Sequence, residues 1–116
     1  MKENSKFWYA LDVLINESEI EIDRPKGSVH PKVGLIYPVD YGYLKGTKSM
    51  DGEGIDVFVG SVRPLVVDAI ICSVDLYKRD SEIKILLGCD EAEKEAVFKI
   101  YLECYDSLQG VLIRRN

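Results

Sequence analysis

The sequence predicts a mainly β fold of the α+β class, a small, twisted, mostly antiparallel sheet or barrel of about five short strands with a C-terminal helix packed on it. Two observations carry this prediction. Residues 18–23 and 55–59 alternate apolar with polar side chains, which is typical of half-buried strands. Residues 90–108 instead combine a capping signal with a long helical spacing of apolar side chains. We therefore expect one long helix, late in the chain, among short strands.

The first half of the chain predicts a short helix and three extended segments. Residues 7–15 place apolar side chains at helical spacing, which indicates a helix or a turn. The strand of residues 18–23 ends at the proline–glycine break of residues 25–27. Residues 35–44 are rich in β-branched and aromatic residues and predict an irregular extended segment, and residues 55–59 predict a further strand.

The second half predicts a β-hairpin followed by the long helix. Residues 66–77 and 82–87 are strand-like, and a turn at residues 78–81 joins them. A capping-box pattern opens the helix of residues 90–108, and Gly110 suits its end.

Composition limits the class of function. The chain has 116 residues, of which 47% are hydrophobic and 30% charged, so we expect one globular domain over residues 1–116. The net charge of −5 argues against binding to nucleic acid or to an anionic membrane, because such binding needs a basic surface. Apolar runs are too short to span a bilayer or to form a leader, and the three cysteines form no CxxC pair. These features favour a cytoplasmic protein with reduced thiols.

Three carboxylates crowd into residues 51–56. Asp51, Glu53 and Asp56 are separated by two glycines, whose backbone freedom lets the acidic groups converge. Converged carboxylates repel one another unless water solvates them or a cation neutralises them. Oxygen ligands suit a hard divalent ion such as Mg²⁺ or, alternatively, Mn²⁺. On spacing alone, a solvated acidic turn remains open as the alternative.

The neighbourhood of this acidic segment adds hydroxyl groups and cations. The tyrosines and basic residues just upstream are Tyr37, Tyr41, Tyr43, Arg24, Lys26, His30 and Lys32. Together with the carboxylates they supply the parts of a site for a metal–phosphate complex, in which cations hold phosphate oxygens and a carboxylate activates water. The alternatives are that the tyrosines are ordinary sheet aromatics, with Tyr43 assigned to the core, and that His30 is an ordinary loop residue.

Residues 37–60, which read YPVDYGYLKGTKSMDGEGIDVFVG, resemble the soluble inorganic pyrophosphatases of family I. The family pattern reads Y-P-x-N-Y-G-[YF]-[IL]-x-x-T and then D-G-D-P-[LIV]-D-[VA], and the match runs without a gap. The resemblance implies a five-stranded, OB-like barrel. It also implies hydrolysis of inorganic pyrophosphate to two phosphates by metal-activated water, with Mg²⁺ as the cofactor.

The resemblance assigns roles to residues of this motif. Asp51 and Asp56 match metal-binding aspartates, and Glu53 stands where the family has an aspartate that acts as the base for the attacking water. Tyr41 matches a tyrosine that hydrogen-bonds near the site. Tyr37 matches the upstream tyrosine of the Y-P pair and is a candidate for contact with substrate.

A second acidic cluster of the family, D-E-x-G-x-D-x-K, has a shortened counterpart in this chain. Asp80 and Glu82 are its candidate metal ligands, and Lys84 matches the lysine that binds phosphate. In the last helix, Tyr105 resembles the tyrosine of a phosphate-gripping Y-K pair, with Asp106 in place of the lysine.

Upstream of the motif the resemblance is weaker. Glu21 resembles an active-site glutamate of the first strands and is a further candidate metal ligand. The phosphate-binding arginine that the family places before Y-P has no clear counterpart here. Arg24, Lys26 and His30 are the candidates to supply that positive charge by another route.

The leading hypothesis is therefore a Mg²⁺-dependent inorganic diphosphatase with pyrophosphate and phosphate as its small-molecule partners. The longer arm of Glu53 predicts weaker activity than an aspartate would give, because small misplacements of a catalytic group slow reactions strongly. The alternative is a catalytically weakened phosphate- or nucleotide-binding module of the same fold, which the depleted second cluster favours. A short chain also leaves strand edges to cover, which is compatible with a homo-oligomer.

Overall fold

The structure, a computed structural model, describes residues 5–50, 52–103 and 106–116. Two helices and six strands form in these ranges. In chain order they are α1 (Ser5–Asn16), β1 (Ile20–Arg24), β2 (Asp40–Leu44), β3 (Ile55–Val59), β4 (Val67–Asp75), β5 (Asp80–Leu87), α2 (Glu91–Glu103) and β6 (Leu108–Arg114).

The described strands form one six-stranded sheet in the order β1-β2-β3-β5-β4-β6. The pairing is antiparallel throughout except between β3 and β5, which run parallel with Val57 opposite Ile85. β1 and β6 lie at opposite ends of this order, so the sheet is open rather than a closed barrel. The predicted mainly β class is confirmed in its open-sheet form.

Each face of the sheet packs against a different helix. Alternation along β3 sends Val57 towards the core that contains Trp8 of α1, and sends Phe58 towards the core that contains Val97 and Tyr101 of α2. Both cores are apolar and buried, which is the main source of stability for such a layered arrangement. α1 and α2 therefore lie on opposite sides of the sheet, and the face that carries α2 also carries the polar residues described below.

Most of the predicted elements are confirmed. The helix predicted over residues 7–15 is α1, the strand of residues 18–23 is β1, and residues 55–59 are β3. The predicted hairpin is β4–β5, although its turn lies a little earlier than residues 78–81. The extended segment predicted over residues 35–44 is confirmed only from Asp40 onwards, as β2, whereas residues 35–39 contain an isolated bridge at Ile36 and a bend at residues 38–39.

The long helix is where the prediction is wrong. α2 ends at Glu103 rather than at residue 108, and the segment after it forms β6, a sixth strand. Leu108 fits the helical spacing, but it also fits a strand in which it and Leu112 face the same core. Gly110 does not end the helix. It lies within β6 opposite Ser73, where a Cβ would come within 3.0 Å of the Ile71 side chain.

Within the described ranges, no helix is long and apolar enough to cross a membrane.

Candidate active site

A polar cleft of about 610 Å³ opens on the α2 side of the sheet, beside the strand pairs β1–β2 and β3–β5. Its walls carry carboxylates, cations and phenols in close proximity. The lining residues are Asp23, Arg24, His30, Tyr37, Tyr41, Tyr43, Gly52, Glu53, Gly54, Asp56, Lys78, Glu82 and Lys84.

Strand register brings the central groups together. Tyr43 of β2 lies opposite Asp56 of β3. Because β3 and β5 are parallel with Val57 opposite Ile85, the preceding residues Asp56 and Lys84 are neighbours as well. The cleft is thus built on side chains that alternate with the buried residues of adjacent strands.

Lys84 is the centre of the polar network. Its Nζ lies 2.6 Å from Asp56 Oδ2 and 3.0 Å from Glu82 Oε1, and its side chain is only 11% exposed. Burial opposes the ammonium charge, but the neighbouring Tyr101 and Asp56 outweigh it and raise the pKa of Lys84. The lysine is therefore positively charged at neutral pH, and both carboxylates face a fixed cation.

Tyr41 is held between aromatic rings and the carboxylate of Asp56. Its ring stacks on Tyr37 with centroids 5.1 Å apart and lies 4.9 Å from the ring of Phe58. Burial first, and then the charge of Asp56, raise the pKa of Tyr41 well above its ordinary value. The phenol consequently stays protonated and donates a hydrogen bond to Asp56.

The acidic loop is closed by its own backbone. The Ser49 N–H donates to the carbonyl oxygen of Glu53 at 2.7 Å, and the Gly52 N–H donates to the carbonyl oxygen of Ser49 at 3.0 Å. Gly52 has a φ of 84°, which side chains other than glycine rarely tolerate. This tight turn places Glu53 on the cleft wall, while Asp51 lies outside the described residues.

The structure brings most of the predicted site residues together. Those that line the cleft are Arg24, His30, Tyr37, Tyr41, Glu53, Asp56, Glu82 and Lys84. Tyr105, like Asp51, lies outside the described residues.

Three predicted residues lie elsewhere. Glu21 does not line the cleft, and its Oε1 lies 3.3 Å from the Nζ of Lys45 at the edge of the sheet. The backbone N–H of Lys26 donates to Asp40 at 2.8 Å, and this lysine lines a smaller, separate depression. Asp80 begins β5 and also lines a depression of its own.

Apart from two glycines, three residues line the cleft that were not among the predicted site residues. Asp23 enters because the register of β1 shifts between Ile22 and Arg24, an irregularity that alternation alone does not reveal. Tyr43, predicted from the sequence to lie in the core, lines the cleft instead. Lys78 reaches the cleft from the β4–β5 turn. The signal for it was Asp75, whose Oδ1 accepts the N–H groups of residues 77 and 78 in a local turn.

The donor chemistry of the cleft fits a hard divalent cation. Asp56 and Glu82 already converge on one positive atom, the Nζ of Lys84, at 2.6 and 3.0 Å. All side-chain donors of these residues are carboxylate oxygens, the ligands that Mg²⁺ and Mn²⁺ prefer. In the part of the chain that the structure describes, no three His, Cys, Asp or Glu side chains form a ready ligand group. Asp23 and Glu53 are the further carboxylates on the cleft wall, and Asp51 lies outside the described residues.

A cleft that combines carboxylates with lysine and arginine side chains, on one face of a small open sheet, belongs to the class of sites suited to a metal ion beside phosphate oxygens. Comparison with known proteins is specific about the family. A model described as Inorganic Pyrophosphatase matches residues 6–112. The inorganic pyrophosphatase of Yersinia pestis is 32% identical over 80 residues, and that of Vibrio cholerae is 31% identical over 101 residues. The chain belongs to the inorganic pyrophosphatase family, as its motif predicted.

The match covers more of this chain than of its relatives. It spans 66% of the chain and 42% of the Yersinia pestis protein, and 78% of the chain and 53% of the Vibrio cholerae protein. The chain thus spans about half the length of the curated relatives it matches.

Solved structures agree on the fold. An inorganic pyrophosphatase from Neisseria gonorrhoeae has a TM-score of 0.54 at 16% identity, with 84% of this chain and 75% of that chain covered. One from Coxiella burnetii has a TM-score of 0.53 at 17% identity, with 82% and 81% covered. At such low identity these likenesses establish the fold alone.

Proposed function

We propose that this protein hydrolyses inorganic pyrophosphate to two phosphates with the help of Mg²⁺, with Mn²⁺ as an alternative metal. The observation that carries the proposal is the convergence of Asp56, Glu82 and Lys84 in one cleft that Glu53 and Tyr41 also line. Membership of the family supports the choice of pyrophosphate as the substrate. We also propose a cytoplasmic location, which the free thiols of the two described cysteines support.

Asp56 and Glu82 would hold the metal, together with Asp51 as the sequence motif implies. When bound, Mg²⁺ supplies positive charge to the phosphate oxygens and lowers the pKa of water in the cleft. Glu53 takes the proton of the attacking water at its carboxylate. The water oxygen bonds to one phosphorus as the bond from that phosphorus to the bridging oxygen breaks, and the second phosphate leaves.

The cations of the cleft hold the phosphate groups. Lys84 has three N–H donors and uses two on Asp56 and Glu82, so the third is directed to a phosphate oxygen. Arg24 and Lys78 line the same cleft and bind the remaining oxygens. His30 lines it as well, and since its Nδ1 accepts the Lys32 N–H, it offers its Nε2–H to the substrate. Tyr41 remains a phenol and fixes the orientation of Asp56.

The test is phosphate release from pyrophosphate, with and without Mg²⁺, by the wild type and by Asp56→Asn. Asparagine keeps the size of the side chain and removes its charge. We expect release that requires Mg²⁺ in the wild type and a loss of about a hundredfold or more in the variant. Glu17→Gln, at an exposed position after α1, is the matched control and should behave as wild type. Equal rates for wild type and Asp56→Asn would refute the role of Asp56.

A binding module without turnover is the second candidate. It is favoured by the placement of Asp80 outside the cleft and by the neutralisation of Glu82 by Lys84, which leave the second acidic cluster small. Calorimetry that shows tight binding of pyrophosphate or a nucleotide, combined with no phosphate release under any metal, would select this function.

A further inference from the structure

The side chain of Ser49 connects the loop between β2 and β3 to strand β5. Its Oγ lies 3.1 Å from Glu82 Oε2 and 3.3 Å from the carbonyl oxygen of Glu53. A hydroxyl has a single proton, and an ionised carboxylate is the stronger acceptor. The nearer partner, Glu82, is therefore the one to which Ser49 donates.

The backbone of the same residue closes the acidic loop. Its N–H donates to Glu53 and its carbonyl oxygen accepts from Gly52, at 2.7 and 3.0 Å. Ser49 thus contacts Glu82 through its hydroxyl and closes the turn of residues 49–53 through its backbone. The relative position of the two acidic segments, one on the loop and one on β5, is set through Ser49.

The two oxygens of Glu82 have different partners. Oε1 accepts from Lys84 at 3.0 Å, and Oε2 accepts from Ser49 at 3.1 Å. The side chain is 12% exposed, so few water molecules compete for these positions. A carboxylate held at both oxygens keeps one orientation, and each oxygen retains a lone pair for a further cation.

We propose that Ser49 is a positioning residue for divalent metal, and that its hydroxyl presets Glu82 so that this carboxylate and that of Asp56 can hold one cation. This inference rests on the proposed function, in which Glu82 and Asp56 hold the metal. Ser49 itself touches neither metal nor substrate. Such presetting matters because an unrestrained carboxylate loses rotamer freedom when it binds an ion.

The experiment measures Mn²⁺ binding by titration calorimetry on the full chain, with the metal alone as the probe. We expect Ser49→Ala to bind Mn²⁺ about five- to tenfold more weakly than wild type, the effect of losing one charge-assisted hydrogen bond. Ser49→Thr retains the hydroxyl and should restore the wild-type affinity. Ser81→Ala removes a hydroxyl from the exposed residue next to Glu82 on β5, and should leave Mn²⁺ affinity unchanged.

The outcomes separate cleanly. Equal Mn²⁺ affinity in Ser49→Ala and wild type would overturn the proposal, as would a loss that Ser49→Thr fails to restore or that Ser81→Ala reproduces. A wild type that binds no Mn²⁺ would overturn it too, because there would be no site to preset. Phosphate release from pyrophosphate, measured on the same samples, tests the proposed function separately. A wild type that binds Mn²⁺ with the expected ranking of variants and releases no phosphate would sink the hydrolase and keep the role of Ser49.

Discussion

Lys84 shows why a buried charge needs partners on more than one side. Its ammonium lies between Asp56 and Glu82, and all three side chains are mostly buried, with 11%, 22% and 12% exposed. Removing the lysine would leave two carboxylates facing each other without compensation, which is far more costly than removing the whole network. The same arrangement lets the two carboxylates lie close together, because the ammonium between them offsets their mutual repulsion.

Glu53 lies on the cleft wall, and its arm is one methylene longer than the aspartate of the family pattern. If the longer arm displaces the base, Glu53→Asp should raise the rate of phosphate release, by up to about a hundredfold. Initial rates at saturating Mg²⁺ measure this. The exposed Glu17→Asp is the control, and it should not change the rate. A rate for Glu53→Asp at or below that of wild type would show that arm length does not limit the reaction.

Lys78 and Arg79 offer a matched pair of cations in one turn. Lys78 lines the cleft, whereas Arg79 lines the neighbouring depression beside Asp80. Lys78→Ala should therefore raise the KM for pyrophosphate about tenfold, because one charge-assisted contact to phosphate is lost. Arg79→Ala removes the same charge and should leave KM near wild type. Steady-state kinetics at fixed free Mg²⁺ compare them, and equal KM shifts would mean that only net charge matters.

Cleft residues that belong to one local sequence motif were predicted, whereas cleft residues that depend on tertiary packing were not. Tyr41, Glu53 and Asp56 lie in one contiguous motif whose strands pair with each other. Their convergence could therefore be predicted from the sequence. Lys78 and Asp23 depend on how a turn folds and on a shift in strand register. Such features arise from tertiary packing, and residue spacing does not encode them.

Among the elements, β6 shows how one pattern can fit two periods. Residues 108, 110 and 112 share a face of a strand, while Leu108 alone continues the helical stripe of α2. Propensity did not decide between them. The strand is favoured because the backbone groups on the outer side of β4 need hydrogen-bond partners. β6 supplies these partners along β4 from Ala69 to Asp75.

Gly42 makes a specific demand on the first two strands. A Cβ at this position would collide with the carbonyl oxygen and carbon of Glu21, because the backbone of β1 lies close to that of β2 there. Gly42→Ala should push β1 away and lower the free energy of unfolding by about 2 kcal/mol or more. Urea denaturation gives the size of the effect, and faster hydrogen exchange confined to β1 and β2 would locate it. An unfolding midpoint equal to that of wild type would contradict the close approach of the β1 and β2 backbones at Gly42.

Over the whole molecule, the sheet separates the apolar core under α1 from the candidate site. α1 covers the face that carries Val57 and Ile85, while the cleft and α2 share the other face. Alternation on β3 therefore divides one strand between the two tasks, with Asp56 on one side and Val57 on the other. Substitutions under α1 should act on stability, and substitutions in the cleft should act mainly on ligand binding.

The two ends of the described chain are joined by Arg115. Its guanidinium binds both carboxylate oxygens of Asp12 at 2.9 and 2.8 Å and the carbonyl oxygen of Val67 at 3.0 Å. It also lies 5.8 Å from the ring centroid of Trp8. We expect Arg115→Ala to lower the free energy of unfolding at pH 7 by about 1 kcal/mol, a modest value because the pair is partly exposed to water.

The pH dependence of this contribution follows from Asp12. Its hydrogen bond to Arg115 lowers the pKa of the Asp12 carboxyl below the ordinary value, although burial acts in the opposite direction. The ion pair therefore stabilises the fold above the ordinary pKa of aspartate, about 3.9, and the stabilisation is lost as the pH falls through the lower pKa of the folded state. The difference between wild type and Arg115→Ala should shrink over that range.

The control is Arg114→Ala. Arg114 is a neighbouring surface arginine paired with Glu91 and Glu95, and its removal should have a smaller effect at pH 7. Urea titrations followed by the fluorescence of Trp8 measure all three proteins, and a difference that persists undiminished at pH 2.5 would rule out the ion pair as its source.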